Sequence, residues 1–322
     1  MKTSFLTFCA LVVVMCLCGG CKKKKVSTDP QDHTTPTSGI LKLASDECFQ
    51  PIMEQEIAVF KAKYPETTIK PVYTSEVHAL NLFLKDSVRV AIVTRKLTPP
   101  ELESMKQRQF IPNAVLIARD AVALIVNPAN TDTLLSVSDF KDIMTGKVTR
   151  WNQLNPSSKL GELTLVFDNK NSSTLRYAMD SICHTRNIAT KNVAAMEHNK
   201  DVIDYVAKTP NAIGVIGSNW LGDGTDTTNL NFRKDIRVVS VSREPRATSA
   251  NSYKPYQAYI YYNYYPMTRP IYLLYNDPQG ALPYSFMGFI ANQDVGQRII
   301  LKTGLVPANV PISIVQVKKD DE

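Results

Sequence analysis

From residue 40 onward, short apolar runs alternate with segments whose apolar residues recur every three or four positions, and this alternation constrains the fold more than any other feature. Ile40 to Ala44 reads as a strand, and Met53, Ile57, Phe60 and Tyr64 line one face of the helix that follows, which Pro65 ends. Strands are predicted at 68–73, 89–93, 113–118 and 121–126. A helix from about Ser138 carries Phe140, Ile143 and Met144 to a stop at Gly146. Leu163 to Phe167 is a strand, and Leu175, Ala178, Met179, Ile182 and Cys183 share a helix face that reads as core packing. A helix around Val202, Ile203 and Val206, strands at 212–216, 236–241 and 271–275, and a last helix over about 285–304 complete the pattern. The tyrosine-rich stretch 253–265 has no fixed period and reads as a strand and loop on the surface. Strand–helix alternation predicts an α/β fold with mixed, mostly parallel sheets and helices on both faces. Ligands bind such sheets at the carboxyl ends of strands, which points to the loops at 45–50, 74–78, 94–96 and 168–174.

The amino terminus has the parts of an export signal. Lys2 is followed by a nearly unbroken apolar run from Phe5 to Leu17, shorter than the roughly 20 residues of a membrane span. Gly19-Gly20 before Cys21 resembles the lipobox of bacterial lipoproteins, although Cys18 stands where an aliphatic residue is usual. The resemblance implies a signal peptide over 1–20, a lipidated Cys21 and a membrane-anchored protein of the periplasm or cell envelope; plain secretion is the alternative. Lys22 to Lys25 suit anionic headgroups or simply open a solvated linker. Residues 21–39 are rich in Ser, Thr, Pro and Asp and read as a flexible tether.

The remaining residues, about 280, suffice for two lobes. A net charge of +7, with no basic helix or basic–aromatic stripe, argues against nucleic acid as a partner. Beyond the leader and the lipidated Cys21 only Cys48 and Cys183 remain, and His33, His78, His184 and His198 are scattered. No spacing suits a metal, and no cofactor motif is present. Cys48 and His78 fall in different loops with nothing to orient them, so no catalytic residue is assigned and the chain does not read as an enzyme.

Several stretches, in order, carry a more specific signal. They are Val126-Asn127-Pro128, Ile143-Met144-Thr145-Gly146-Lys147 with Trp151, the run VAIVTRKL at 90–97, PNAIGVIG at 210–217, YPMTRPIYLLY at 265–275, and 286–307. Together they resemble the phosphate-binding proteins of ABC transporters. That resemblance implies a type II periplasmic-binding-protein fold, with one lobe from 40–118 plus 246–322, the other from 119–245, and a two-segment hinge. It implies a monomer that closes over phosphate or a related oxyanion and docks on a membrane permease.

The resemblance also marks the site. Ser172, Ser173 and Thr174 match the family's Ser-Gly-Thr turn at a helix start, where backbone N–H groups and hydroxyls receive an anion; ordinary N-capping is the alternative. Thr94 and Arg95 stand where the family places ligand contacts, and Arg95 would supply the charge or else form a salt bridge at the rim. The first family loop is hydroxyl-rich, but here Glu47 and Cys48 precede Phe49. The second is Thr74-Ser75-Glu76, and Asp168 replaces an expected arginine. A carboxylate about 4 Å from an anion costs on the order of 4 kcal/mol at an effective dielectric near 20. Two alternatives to an oxyanion therefore stay open: a different small polar or cationic ligand on the same fold, or a sensing or assembly lipoprotein with no transport role.

Overall fold

The computed structural model describes residues 29–309 apart from 186–187, 189–190, 224–230, 278–279 and 293. The signal segment, Cys21 and the lysine run lie outside the described residues.

The strands are β1 (Gly39–Asp46), β2 (Thr67–Thr74), β3 (Val90–Val93), β4 (Asn113–Val126), β5 (Leu134–Ser136), β6 (Thr164–Phe167), β7 (Val193–Ala195), β8 (Ala212–Gly217), β9 (Arg237–Val238), β10 (Ser240–Ser242), β11 (Ser252–Tyr253), β12 (Thr268–Tyr275) and β13 (Val306–Pro307). The helices are α1 (Gln50–Lys63), α2 (Glu76–Leu84), α3 (Pro99–Gln107), α4 (Val137–Met144), α5 (Trp151–Leu154), α6 (Ser173–Tyr177), α7 (Asn199–Lys208), α8 (Gln257–Tyr261), α9 (Leu282–Asn292) and α10 (Asp294–Lys302). The main sheet runs β2-β1-β3-β12-β4-β8-β6-β7. Its two wings are parallel, β2-β1-β3 on one side and β8-β6-β7 on the other. Its centre is antiparallel, because the chain leaves the first lobe along β4 and returns along β12.

Each lobe has its own core, as the two-lobe α/β reading requires. In the first, Ile52, Met53, Ile57 and Phe60 of α1 pack with Phe286 and Phe289 of α9 and with the apolar residues of β1. The Phe60 ring meets Phe286 edge-on at 5.0 Å between centroids. Each such side chain contributes about 1.5–3 kcal/mol through burial. In the second lobe, Phe140, Met144, Trp151, Phe167 and Ile182 form one layer, and Val202, Ile203 and Val206 of α7 form another. Gly214 lets α7 lie close on β8: a Cβ there would stand 2.8 Å from Ile125 and 2.9 Å from Val202.

Several sequence expectations change in detail. The apolar runs at 113–118 and 121–126 are one 14-residue strand, β4, whose first part pairs with β12 and β13 and whose second part pairs with β8 and β9. The expected strand at 236–241 splits into β9 and β10, and the expected last helix is two helices, α9 and α10. Helices α2 and α3 were not anticipated, since Pro99-Pro100 and a polar composition hide α3. The return to the first lobe falls near Thr268 rather than 246, because Ile260, Tyr265 and Met267 pack into the second core. The tether expected over 21–39 already docks at its end: Pro30–His33 form a 3-10 turn, and buried Gln31 accepts a hydrogen bond from the Lys42 N–H at 3.1 Å. Cys48 and Cys183 are free thiols buried in different cores.

Candidate functional site

The carboxyl ends of β1, β2 and β3 in one lobe face those of β6 and β7 in the other. The loops that leave them enclose a cleft of about 280 Å³ lined by Asp46, Glu47, Tyr73, Thr74, Ser75, Asp168, Asn169, Ser172, Glu197 and His198. A wider mouth continues past Thr74, Ser75 and Asn169 to His78, Lys170 and Met196. Of the residues predicted from sequence, Glu47, Thr74, Ser75, Asp168 and Ser172 line the cleft itself. Cys48, Phe49, Thr94, Ser173 and Thr174 are buried, and their contacts build the floor and the two sides.

The floor is Arg269, a residue the sequence reading did not single out. It stands on β12 directly opposite Asp120 on β4, so the two charges are a cross-strand pair on the crossing strands. Arg269 is 2 % exposed and donates from Nε to Asp120 Oδ2 at 2.9 Å, from Nη1 to Ser173 Oγ at 2.7 Å and from Nη2 to Cys48 Sγ at 3.3 Å. Its guanidinium also lies 5.4 Å from the centroid of the Phe49 ring. Burial works against this charge, but Asp120, Cys48 and Asp46 outweigh burial and hold Arg269 firmly protonated. Gly217 permits the crowding: a Cβ there would sit 3.3 Å from Cys48 Sγ and 3.4 Å from Arg269 Nη2.

One side is an ion pair between lobes, buried at Glu76 and half-buried at Arg176. Arg176, one turn into the helix that Ser172 caps, donates from Nε to Glu76 Oε2 at 2.5 Å and also reaches Thr94 Oγ1. Glu76 in turn accepts from the Thr94 N–H and Oγ–H, each at 2.7 Å. Burial raises the Glu76 carboxyl, yet the hydrogen bonds and charge of Arg176 and the Thr94 donors leave it below its ordinary value. The other side is Asn199 at the start of α7. It donates from its backbone N–H to Glu47 Oε2 at 3.2 Å and from its side chain to Glu47 and to Asp168 Oδ2. The Cys48 carbonyl accepts from Asn219 at 2.7 Å and from the Trp220 indole at 2.9 Å. The lobes are thus bridged by the protein's own polar groups around the cleft.

Arg95 does not supply charge to this cleft. Its guanidinium is committed to Glu101, at 2.8 and 2.9 Å, and Glu101 also accepts from the Thr98 N–H to cap α3. The rim salt bridge is therefore the structure's reading of Arg95. Ser172 both caps α6, accepting from the Leu175 N–H at 3.2 Å, and lines the cleft. Thr174 is turned inward and donates to Asp168 Oδ1 at 2.6 Å. Arg176, Asn199, Asp120 and Arg269 were missed. The available signals were the charged pair Arg119-Asp120 interrupting the apolar run of β4, and an arginine inside the otherwise apolar Met267–Tyr275 run.

The electrostatics are acidic. Burial pushes the Asp46 carboxyl up to about 7, helped by the charges of Glu76 and Asp168. Burial also raises Glu47 and Asp168, and it raises the Cys48 thiol well above its usual range, the reverse of an activated nucleophile. Asp46 accepts the Cys48 N–H at 3.0 Å through Oδ1, while its Oδ2 has no hydrogen-bond partner among the described residues. Such carboxyls near neutral pH hold a proton or face a cation.

Comparison with known proteins is consistent with this architecture. The phosphate-binding protein PstS of Bacillus subtilis is 21% identical over 307 residues, covering 94% of this chain and 92% of that one. Protein SphX of Synechocystis is 22% identical over 247 residues, covering 74% and 69% respectively. Among solved structures, a phosphate-bound protein from Clostridium perfringens superposes with a TM-score of 0.70 at 20% identity, over 84% of this chain and all of that one. A human phosphate binding apolipoprotein gives 0.65 at 12% identity, over 83% and 90%. The family model of the PBP superfamily domain matches residues 30–294, and the chain belongs to that superfamily.

Proposed function

We propose that this chain is an extracytoplasmic solute-binding protein that captures phosphate, or a related oxyanion, between two closing lobes and delivers it to an ABC transporter permease. The reading is one of binding rather than catalysis. The observation that carries it is the inter-lobe cleft, walled by the neutral donors Tyr73, Thr74, Ser75, Asn169 and Ser172. Tyr73 Oη has no hydrogen-bond partner among the described residues. The names of the relatives, phosphate-binding proteins in most cases, support the same solute.

The anion must coexist with carboxyls, and it does so when they keep their protons. Below pH 7 the Asp46 carboxyl is neutral and donates; above it the carboxylate repels the solute. Phosphate affinity, measured by calorimetry, should therefore fall by up to about tenfold between pH 6 and pH 8. Asp46→Asn should flatten that fall, and Arg95→Ala, committed to Glu101, should change affinity by less than about twofold. Affinity that rises with pH would remove the oxyanion reading. It would favour a second one, a solute with a cationic group, for which four carboxyls among the cleft residues already argue.

Cys21 is proposed as the lipidated residue that anchors a monomeric protein at the membrane. Among the described residues no helix is long and apolar enough to cross a membrane. Cys21→Ser should move the protein from the membrane to the soluble fraction of fractionated cells; unchanged partitioning would exclude the anchor.

A further inference from the structure

We propose that the base of the cleft is a transition-metal site, in which Asp46, Cys48 and Asp168 bind a divalent cation of the zinc class across the two lobes. Their ligand atoms all lie within 4.8 Å of one another, and all three residues are buried. Asp46 ends β1 and Cys48 follows it in one lobe, and Asp168 follows β6 in the other. An independent observation points to a cation: Asp46 is 1 % exposed, and its Oδ2 has no hydrogen-bond partner among the described residues. A buried carboxylate oxygen without a donor is costly, and a metal ion supplies the missing partner.

The surrounding groups already do what metal ligands require of their neighbours. Thr174 donates to Asp168 Oδ1 at 2.6 Å and Asn199 to Oδ2 at 3.3 Å. The Cys48 N–H donates to Asp46 Oδ1 at 3.0 Å, which fixes that carboxyl's plane. Arg269 Nη2 donates to Cys48 Sγ at 3.3 Å, a bond that partly offsets the burial that keeps this group a thiol. Arg269 also pairs with Asp120 at 2.8 Å, so its single charge is shared between that carboxylate and the three ligands. One thiolate with two carboxylates selects a borderline ion such as zinc over magnesium or calcium. In a tetrahedral zinc site, sulfur and oxygen ligands stand roughly 3.5 Å apart, so the three atoms draw in slightly on binding. Three protein ligands leave a fourth position open, and two of the three, Asp46 and Asp168, line the cleft. The proposal goes beyond solute capture and holds whether or not phosphate is the solute.

The test is made on the full chain after chelation and dialysis. Zinc chloride should raise the melting temperature and magnesium chloride should not. Cobalt chloride should give the near-ultraviolet sulfur-to-metal charge-transfer band of a bound thiolate. Cys48→Ser should abolish that band, Cys183→Ser should retain it, and Asp46→Asn should weaken metal affinity on the order of 100-fold. Asp46→Asn and Asp168→Asn carry the test if Cys48→Ser does not fold. A band that persists in Cys48→Ser places the metal elsewhere and overturns the proposal, as does the absence of any zinc shift in the wild type. Phosphate binding measured in chelator is a separate readout, so either property can fail alone.

Discussion

Arg269→Met should destabilise this protein by about 3–5 kcal/mol and abolish its stabilisation by solute. The reason is the number of buried acids that depend on one guanidinium. Arg269 reaches Asp120, Ser173 and Cys48 from the two crossing strands, with one bond into each lobe beyond the hinge pair. Its charge also opposes the raised carboxyls of Asp46 and Asp168. Without it, Asp120 keeps only the Ser218 N–H and Oγ–H, at 3.2 and 2.8 Å, and a buried carboxylate remains unpaired. Arg269→Lys should fall between the two, since an ammonium keeps the charge but cannot hold three partners in a planar fork. Arg95→Met is the matched control. Its pair with Glu101 is partly exposed and should be worth no more than about 1 kcal/mol. Denaturant unfolding at pH 7.5 makes the measurement. A loss below 1 kcal/mol for Arg269→Met would mean that the hinge pair does not hold the lobes together.

The cleft shows why the fold was legible in the sequence and the site only partly so. Periodicity finds elements because burial imposes it: β1, α1, β8 and α7 each present an apolar face to a core. Loop positions then follow from topology, and Glu47, Thr74, Ser75, Asp168 and Ser172 do meet in one cleft. Which charge belongs to the site does not follow from loop position. Arg95 lies at the carboxyl end of β3, but Glu101, six residues on, reaches back and claims it. Arg269 lies at the start of the chain's last long strand, 149 residues from Asp120, and only the β4–β12 register brings the two together. Arg176 has Asp180 one turn on, at 3.7 Å, and nothing local predicts that it also reaches Glu76, 100 residues away. Long-range polar pairing leaves no period in a sequence, whereas core packing does.

Glu56 carries the second large effect, and its sign is the opposite. It lies on the inner face of α1 between Met53 and Phe60, is 0 % exposed, and neither carboxyl oxygen has a hydrogen-bond partner among the described residues. Burial alone pushes its carboxyl from 4.5 up to about 9. The folded state therefore keeps a proton that the unfolded chain loses above about pH 4.5. Stability falls as pH rises from there to about 9, where the folded carboxyl also ionises and the loss levels off. At pH 7 the gap of about 2.5 units corresponds to roughly 3 kcal/mol at 1.36 kcal/mol per unit. Glu56→Met, which fills the same space without a charge, should stabilise the protein by about 2–3 kcal/mol at pH 7 and raise its melting temperature by several degrees. The gain should shrink towards pH 4.5 and grow towards pH 9. Glu56→Gln removes the titration but leaves a buried amide without partners, so it should lose the pH slope while gaining less. Melting curves of the three proteins at pH 5, 7 and 9 separate these effects. A difference between wild type and Glu56→Met that does not change with pH would show that the Glu56 carboxyl is solvated in the folded state, and that the inner face of α1 opens to water at this position.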